Sequence, residues 1–244
     1  MRKADTGSDP KDFLVAPAST KHFRVRLEST DNGMLMSRAT PESLKKPTKG
    51  RKKKTDPEPV SAERVDLAAI AADLIYRDRS GQICVPKANL MSCLRDAGRE
   101  IPWGAPSKKR RVTNLKDKKT MLFSFLQIHG TDLVLDLPAA GHNNEGWKVD
   151  SRKGYDKKLG KKVRIIRPLF PKWALEFDIT ISFIGPEVTE GLVKKLFTIA
   201  GEQFGLGAFR VGLSPKEARY PYPFGGFEVA KFEEISQPAQ QQTA

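Results

Sequence analysis

The chain is poor in the residues that build metal and redox chemistry. Of its 244 residues two are cysteines, Cys84 and Cys93, which excludes a disulfide framework or a four-cysteine zinc site and fits a reduced, cytoplasmic setting. Three histidines, His22, His129 and His142, supply little for histidine-rich coordination, and no metal and no cofactor are expected. No run of about 18 apolar residues occurs, and residues 1–10 are polar where a signal peptide needs an apolar stretch. Neither a membrane span nor signal-directed secretion is expected. There is no Walker loop, no GxSxG and no HExxH, so ATPase, α/β-hydrolase and zinc-protease chemistry have no support.

Acidic residues are also scarce, with 29 Asp+Glu against 43 Lys+Arg for a net charge of +14. Three segments hold more than all of that excess. Residues 45–54 carry seven basic side chains and no acid, residues 108–119 carry seven against Asp117, and residues 152–167 carry eight against Asp156. Together they amount to +20, leaving the rest of the chain at −6. A mildly acidic body with three cationic patches suits a polyanionic partner. None of the runs lies on an amphipathic helix with a broad apolar face, which disfavours a membrane surface.

Apolar content of 39% suffices for one sizeable core. Residues 1–20 and 236–244 are polar and are expected to be disordered flanks of a single domain over 21–235. Residues 39–61 read as a mobile insertion and 138–162 as a polar, turn-rich excursion. Phe23, Val25 and Leu27 alternate with polar residues, as do Leu175, Phe177, Ile179, Ile181 and Phe183, predicting two strands. Residues 65–75 suit a helix or a strand. Residues 82–86 form a short strand stopped by Pro86, with Asn89 as N-cap of a helix through Leu90, Cys93, Leu94 and Ala97. Residues 121–128 and 132–137 predict a hairpin about Gly130. A helix over 188–203 with Val188, Leu192, Leu196, Ile199 and Ala200 inward and a last strand over 226–235 follow. This order predicts an α+β domain with a ferredoxin-like, RNA-recognition-type core and long basic insertions. It makes the first and the Ala174 strands neighbours, setting Arg24 and Arg26 against Glu176 and Asp178. The sheet face would then be charge-neutralised and lack paired aromatics, so loops and edges are the expected binding elements.

Two segments carry a family resemblance. Residues 78–95, DRSGQICVPKANLMSCLR, and the glycine-rich stretch Gly205-Leu-Gly-Ala-Phe-Arg210 with the later Pro223-Phe-Gly-Gly-Phe resemble the strand-proline-helix motif and glycine-rich loop of the RAMP superfamily of CRISPR effector subunits. Asn89 stands where that motif often has Ser, and Ser92 near where it has a small Gly. The resemblance is greater to the backbone subunits, the Cas seven-like proteins, than to the processing nucleases. It implies a guide-RNA-gripping, antiviral-defence protein that assembles into an oligomeric ribonucleoprotein with copies of itself and other effector subunits, of host, phage or mobile-element origin. The segments 39–61 and 138–162 would correspond to finger-like and thumb-like insertions.

The RNA-binding residues expected on these grounds are Lys52, Lys53 and Lys54 in the first run; Lys108, Lys109, Arg110, Arg111, Lys118 and Lys119 in the second; and Arg152, Lys153, Lys157, Lys158, Lys161 and Lys162 in the third. Lys87, Asn89 and Arg95 join them from the helix motif, and Gly205, Gly207 and Arg210 from the glycine-rich loop. Lysine and arginine neutralise phosphates, while missing Cβ atoms let backbone approach a ligand closely. Trp103, Trp147, Trp173 and Tyr155 are candidate base-stacking groups. No catalytic residue is assigned, because neither His22 beside Arg24 nor His142 has a recognisable catalytic spacing. The alternatives are a metal-independent processing endoribonuclease on the same fold, using those histidines, or a phage DNA-binding recombination or packaging accessory.

Overall fold

Strict two-residue alternation produces the central strand, β10 (Ala174–Phe183). Leu175, Phe177, Ile179 and Ile181 are buried on one face, and β1 (Ser19–Ser29) lies antiparallel beside it with Phe23, Val25 and Leu27 buried on the same face. The computed structural model describes residues 19–38, 66–104, 110–114, 119–156, 161–210 and 224–236, with backbone alone for 155–156 and 161–163. Ser19 and Thr20, expected in the N-terminal flank, begin β1. The 39–61 insertion lies outside the described residues.

Among the described residues the main sheet runs antiparallel throughout and carries helices on one face, an α+β arrangement. β11 (Phe227–Ile235) flanks β1. On its other side β10 meets β6 (Leu126–Ile128) at one end and β7 (Asp132–Asp136) at the other, and β3 (Cys84–Pro86) pairs β7. The expected β6–β7 hairpin about Gly130 is therefore not formed. Both strands pair with β10 instead, Ile128 opposite Ile179 and Leu135 opposite Leu175, and the connection is held by His129 N donating to Asp178 O at 2.9 Å and Lys87 N donating to Thr131 O at 2.8 Å.

Two longer helices cover the apolar face. α1 (Leu67–Ala72) is short and capped by Asp66, whose carboxylate accepts from Ala68 N and Ala69 N. α2 (Lys87–Ala97) starts directly after Pro86, so Asn89 sits in its first turn and is not its cap. Leu90, Cys93, Leu94 and Ala97 are buried as their spacing predicts. α3 (Leu122–Phe125) is one turn leading into β6. α4 (Glu190–Ile199) is capped by Thr189 and runs into a π-helical turn, Ala200–Phe204. Its buried face is Val193, Leu196, Phe197 and Ala200, rotated from the expected set so that Leu192 and Ile199 lie at the margin. Val193 and Phe197 follow α2 and the sheet across the helix, which a one-helix pattern does not reveal.

A second sheet orders β2 (Met34–Leu35), β9 (Lys161–Phe170) and β8 (Lys148–Asp156). Where a polar excursion is expected at 138–162, the chain builds a long β8–β9 hairpin. A two-stranded piece, β4 (Thr113–Asn114) with β5 (Lys119–Thr120), carries part of the second basic run. Among the described residues no helix is long and apolar enough to cross a membrane.

Candidate nucleic-acid interface

The open face of the main sheet has its charges consumed internally. Arg24 stands opposite Asp178 and Arg26 opposite Glu176, as the sequence predicts. Arg24 donates to both Asp178 oxygens, at 2.9 and 3.2 Å, and Asp178 is itself buried. Arg26 donates to Glu28 and Asp136, each at 2.8 Å. A cross-strand pair such as Arg24–Asp178 contributes about 0.2–1 kcal/mol, and together these pairs leave little positive charge on this surface.

The same face brings together two histidines that are far apart in the sequence. His22 Nδ1 and His129 Nε2 lie 2.8 and 2.7 Å from the single Thr180 hydroxyl. That hydroxyl has one proton, so with both rings neutral it donates to one imidazole and accepts from the other. Burial, then the neighbouring His22, hold His129 below the ordinary histidine pKa, Lys87 adding to the shift and Asp178 opposing it. A histidine depressed in the folded state is protonated first in the unfolded chain. Its stabilisation is thus complete above about pH 6.5 and is lost as pH falls through that value toward the lower folded pKa. The melting temperature should fall between pH 7.5 and 5.5, and His129→Gln should flatten that part of the profile; a parallel profile for the variant would contradict the assignment. His142, the other histidine singled out, packs on Trp147 at 4.6 Å between ring centroids.

The strand-proline-helix motif and the glycine-rich loop do meet in space. They line a cleft of about 200 Å³ together with β2, formed by Met34, Met36, Ser37, Tyr76, Val85, Asn89, Ser92, Gly207, Ala208 and Arg210. Arg210, 17% exposed, donates to Asp96 at 3.2 Å, and Asp96 also pairs Arg99 at 2.8 Å, so two guanidiniums share one carboxylate. Arg95 is exposed on α2 and bonds Ser92 Oγ at 3.3 Å. Lys87 is directed elsewhere, its Nζ donating to Ile128 O at 3.4 Å.

Both glycines of the loop pack against the chain's own backbone. Gly205 is buried with φ +68°, ends the π-helical turn by donating to Ala200 O at 2.7 Å, and has Phe224 O and Gly225 where a Cβ would stand. Gly207, φ +86°, has the Leu35 carbonyl there. The space left by both missing side chains is taken up by the chain's own backbone. Cys93 closes the same junction, its Sγ donating to Gly205 O at 3.1 Å, and burial pushes this thiol up to about 12. Trp147 and Trp173 are core residues, and Trp103, half-buried, stacks on Phe125 at 5.5 Å and 12°. The Tyr155 side chain lies outside the described residues.

Arg110, Arg111 and Lys119 are exposed, Arg111 also donating to Glu100 O at 2.7 Å. Lys52, Lys53, Lys54, Lys108, Lys109, Lys118, Lys157 and Lys158 lie outside the described residues, as do the side chains of Lys161 and Lys162. The described residues of the third run, 152–156 and 161–167, lie in the β8–β9 hairpin. Its root is apolar, with Trp147, Val149, Ile166 and Phe170 in or against the core, whereas Lys153 is exposed, Arg164 is exposed and bonds Ser151 Oγ at 2.6 Å, and Lys161 and Lys162 continue the strand. At about 3.3 Å per residue its nine- and ten-residue strands reach some 30 Å. Arg152 is less free than expected, since it is paired with Asp150 at 2.6 and 3.0 Å and lies over the Phe224 ring at 4.5 Å.

No protein-family description matches the sequence, and no curated protein matches it. Among solved structures, the chain is similar to one in the cryo-EM structure of the Type III-B Cmr-beta bound to cognate target RNA, with 13% identity and a TM-score of 0.46. The similarity covers 88% of this chain and 61% of the other, so this chain spans about three-fifths of that neighbour's length.

Proposed function

We propose that this chain is a non-catalytic RNA-binding subunit that holds the phosphate backbone of a guide RNA and assembles along it with copies of itself and other subunits in a CRISPR-like ribonucleoprotein. The observation that carries this reading is the division of charge: arginines on the sheet face are spent on Asp178, Glu28 and Asp136, while lysines are gathered on a hairpin anchored by an apolar root. The strand order β11-β1-β10-β6 with α2 and α4 on one face supports reading the core as ferredoxin-like. In this reading the hairpin, the 39–61 segment and the β4–β5 region grip RNA through phosphates, in a manner tolerant of sequence. A chain of this kind works in the cytoplasm.

The test is a titration of single-stranded RNA, single-stranded DNA and duplex at matched salt. Tighter binding of single-stranded RNA is expected. Equal binding of all three would reject the guide-RNA reading in favour of a general polyanion binder.

A further inference from the structure

One cation on the hairpin is unlike the others. Strand alternation turns Val149 and Ile166 toward the core and sets Asp150, Arg152 and Arg167 on the opposite face. Arg167 is directly across from Asp150 in the ladder, the position from which an ion pair ordinarily forms. Asp150 nevertheless gives both its oxygens to Arg152. The Arg167 side chain has no ion pair or hydrogen bond among the described residues, and its Nε is buried without a partner. Two other side-chain nitrogens share that condition, but Arg99 reaches Asp96 through its Nη2 and Trp173 is uncharged.

A guanidinium stays charged under all ordinary conditions and does not escape burial by losing its proton. Taking that charge out of water with no counter-charge is unfavourable to the free protein. Burial lowers the Arg167 pKa, and no carboxylate among the described residues acts to raise it. Among the described residues two arginines face one aspartate here, on a segment that holds eight basic residues and one acid over 152–167. Among the described residues, no anion is placed against this half-desolvated arginine.

We propose that Arg167 is a phosphate-binding residue, which takes a phosphodiester oxygen of single-stranded RNA on the Asp150–Arg152 face of the β8–β9 hairpin. This rests on the RNA-binding reading and adds one ordered contact to a set of lysines that are otherwise interchangeable. A planar guanidinium with its Nε side sheltered presents its remaining N–H groups as a directed fork, while an exposed lysine acts as a point charge.

The experiment uses the full chain, with Arg167→Gln and Arg167→Lys compared with wild type in binding of labelled single-stranded RNA across a salt series, and in thermal melting without RNA. Arg167→Gln should lose about five-fold in affinity near 0.1 M salt and flatten the salt slope by about 0.7, the increment for one single-strand phosphate. Its melting temperature should equal or exceed wild type, because an uncompensated charge has been removed. Arg167→Lys should keep the slope. Affinity and slope equal to wild type would overturn the assignment, as would a lowered melting temperature with binding that Lys does not restore, which marks a structural role. Unchanged RNA binding with weakened self-association by sedimentation would identify the anion as a carboxylate of another copy, and would also overturn it. A wild-type chain that binds no RNA rejects the RNA-binding reading as a whole, so the two failures are distinguishable.

Discussion

Replacing Lys153, Lys157, Lys158, Lys161 and Lys162 by Gln should weaken binding of single-stranded RNA by about a hundred-fold near 0.1 M salt and leave the melting temperature almost unchanged. Each phosphate neutralised on a single strand contributes about 0.7 to the salt slope. If three of the five lysines engage phosphates at once, the slope falls by about 2 and the affinity near 0.1 M by about two decades. The fold should tolerate the change because the hairpin is anchored by Trp147, Val149, Ile166 and Phe170, not by its lysines, of which Lys153 is exposed. The control is the open face of the main sheet. Neutralising Arg26, already committed to Glu28 and Asp136, should have little effect on RNA affinity. A hairpin variant that binds RNA as tightly as wild type would show that the hairpin is not the gripping element.

Gly225→Ala should produce the largest loss of stability, about 3 kcal/mol, read as a fall in melting temperature of about 6–12 °C for a chain of this size. Gly225 has φ +77°, a region that strains a residue with a Cβ by about 1–2 kcal/mol. A Cβ there would also overlap the backbone of Leu206, and forcing atoms into a filled site adds about 1–3 kcal/mol. The residue cannot move aside easily: its N–H donates to Gly33 O at 2.6 Å, and its carbonyl accepts from Leu206 N at 2.8 Å. Gly225 therefore ties the β1–β2 turn, the glycine-rich loop and the start of β11 together. Gly191 in α4 is the contrast. It is exposed, and a methyl added there would come no nearer than 3.8 Å to Thr189 Oγ1, so Gly191→Ala should raise stability by roughly 0.5–1 kcal/mol through helix propensity. Equal stability of Gly225→Ala and wild type would show that this junction yields without loss.

What can be read from the sequence follows from how local each signal is. β1 and β10 alternate without interruption, so their faces, their pairing and the neutralisation of Arg24 by Asp178 are all legible. α2 is legible because Pro86 and Gly98 bracket an i, i+3, i+4, i+7 apolar set. The hairpin is hidden, because KVDSRKGYD and its partner strand carry polar residues on both faces away from the root and so lack the apolar alternation that marks a strand. The expectation of a β6–β7 hairpin fails on similar grounds: two short strands separated by a glycine look like a hairpin, and only the long β10 decides that both pair with it. The His22–Thr180–His129 cluster joins residues far apart in the chain and depends on register. Arg167 belongs to the third basic run, yet nothing in the run distinguishes it from its neighbours until Asp150 is seen to be occupied. The glycine-rich loop reads as a ligand approach because a missing Cβ has the same appearance in sequence whether the space is kept for a ligand or for the protein's own backbone.

The most direct test of phosphate gripping is the salt dependence of single-stranded RNA binding by the wild-type chain. Contact with at least four phosphates predicts a plot of log affinity against log salt falling with a slope of about −3 or steeper. A slope near zero would mean that the three basic runs do not meet phosphates, and would contradict the central claim.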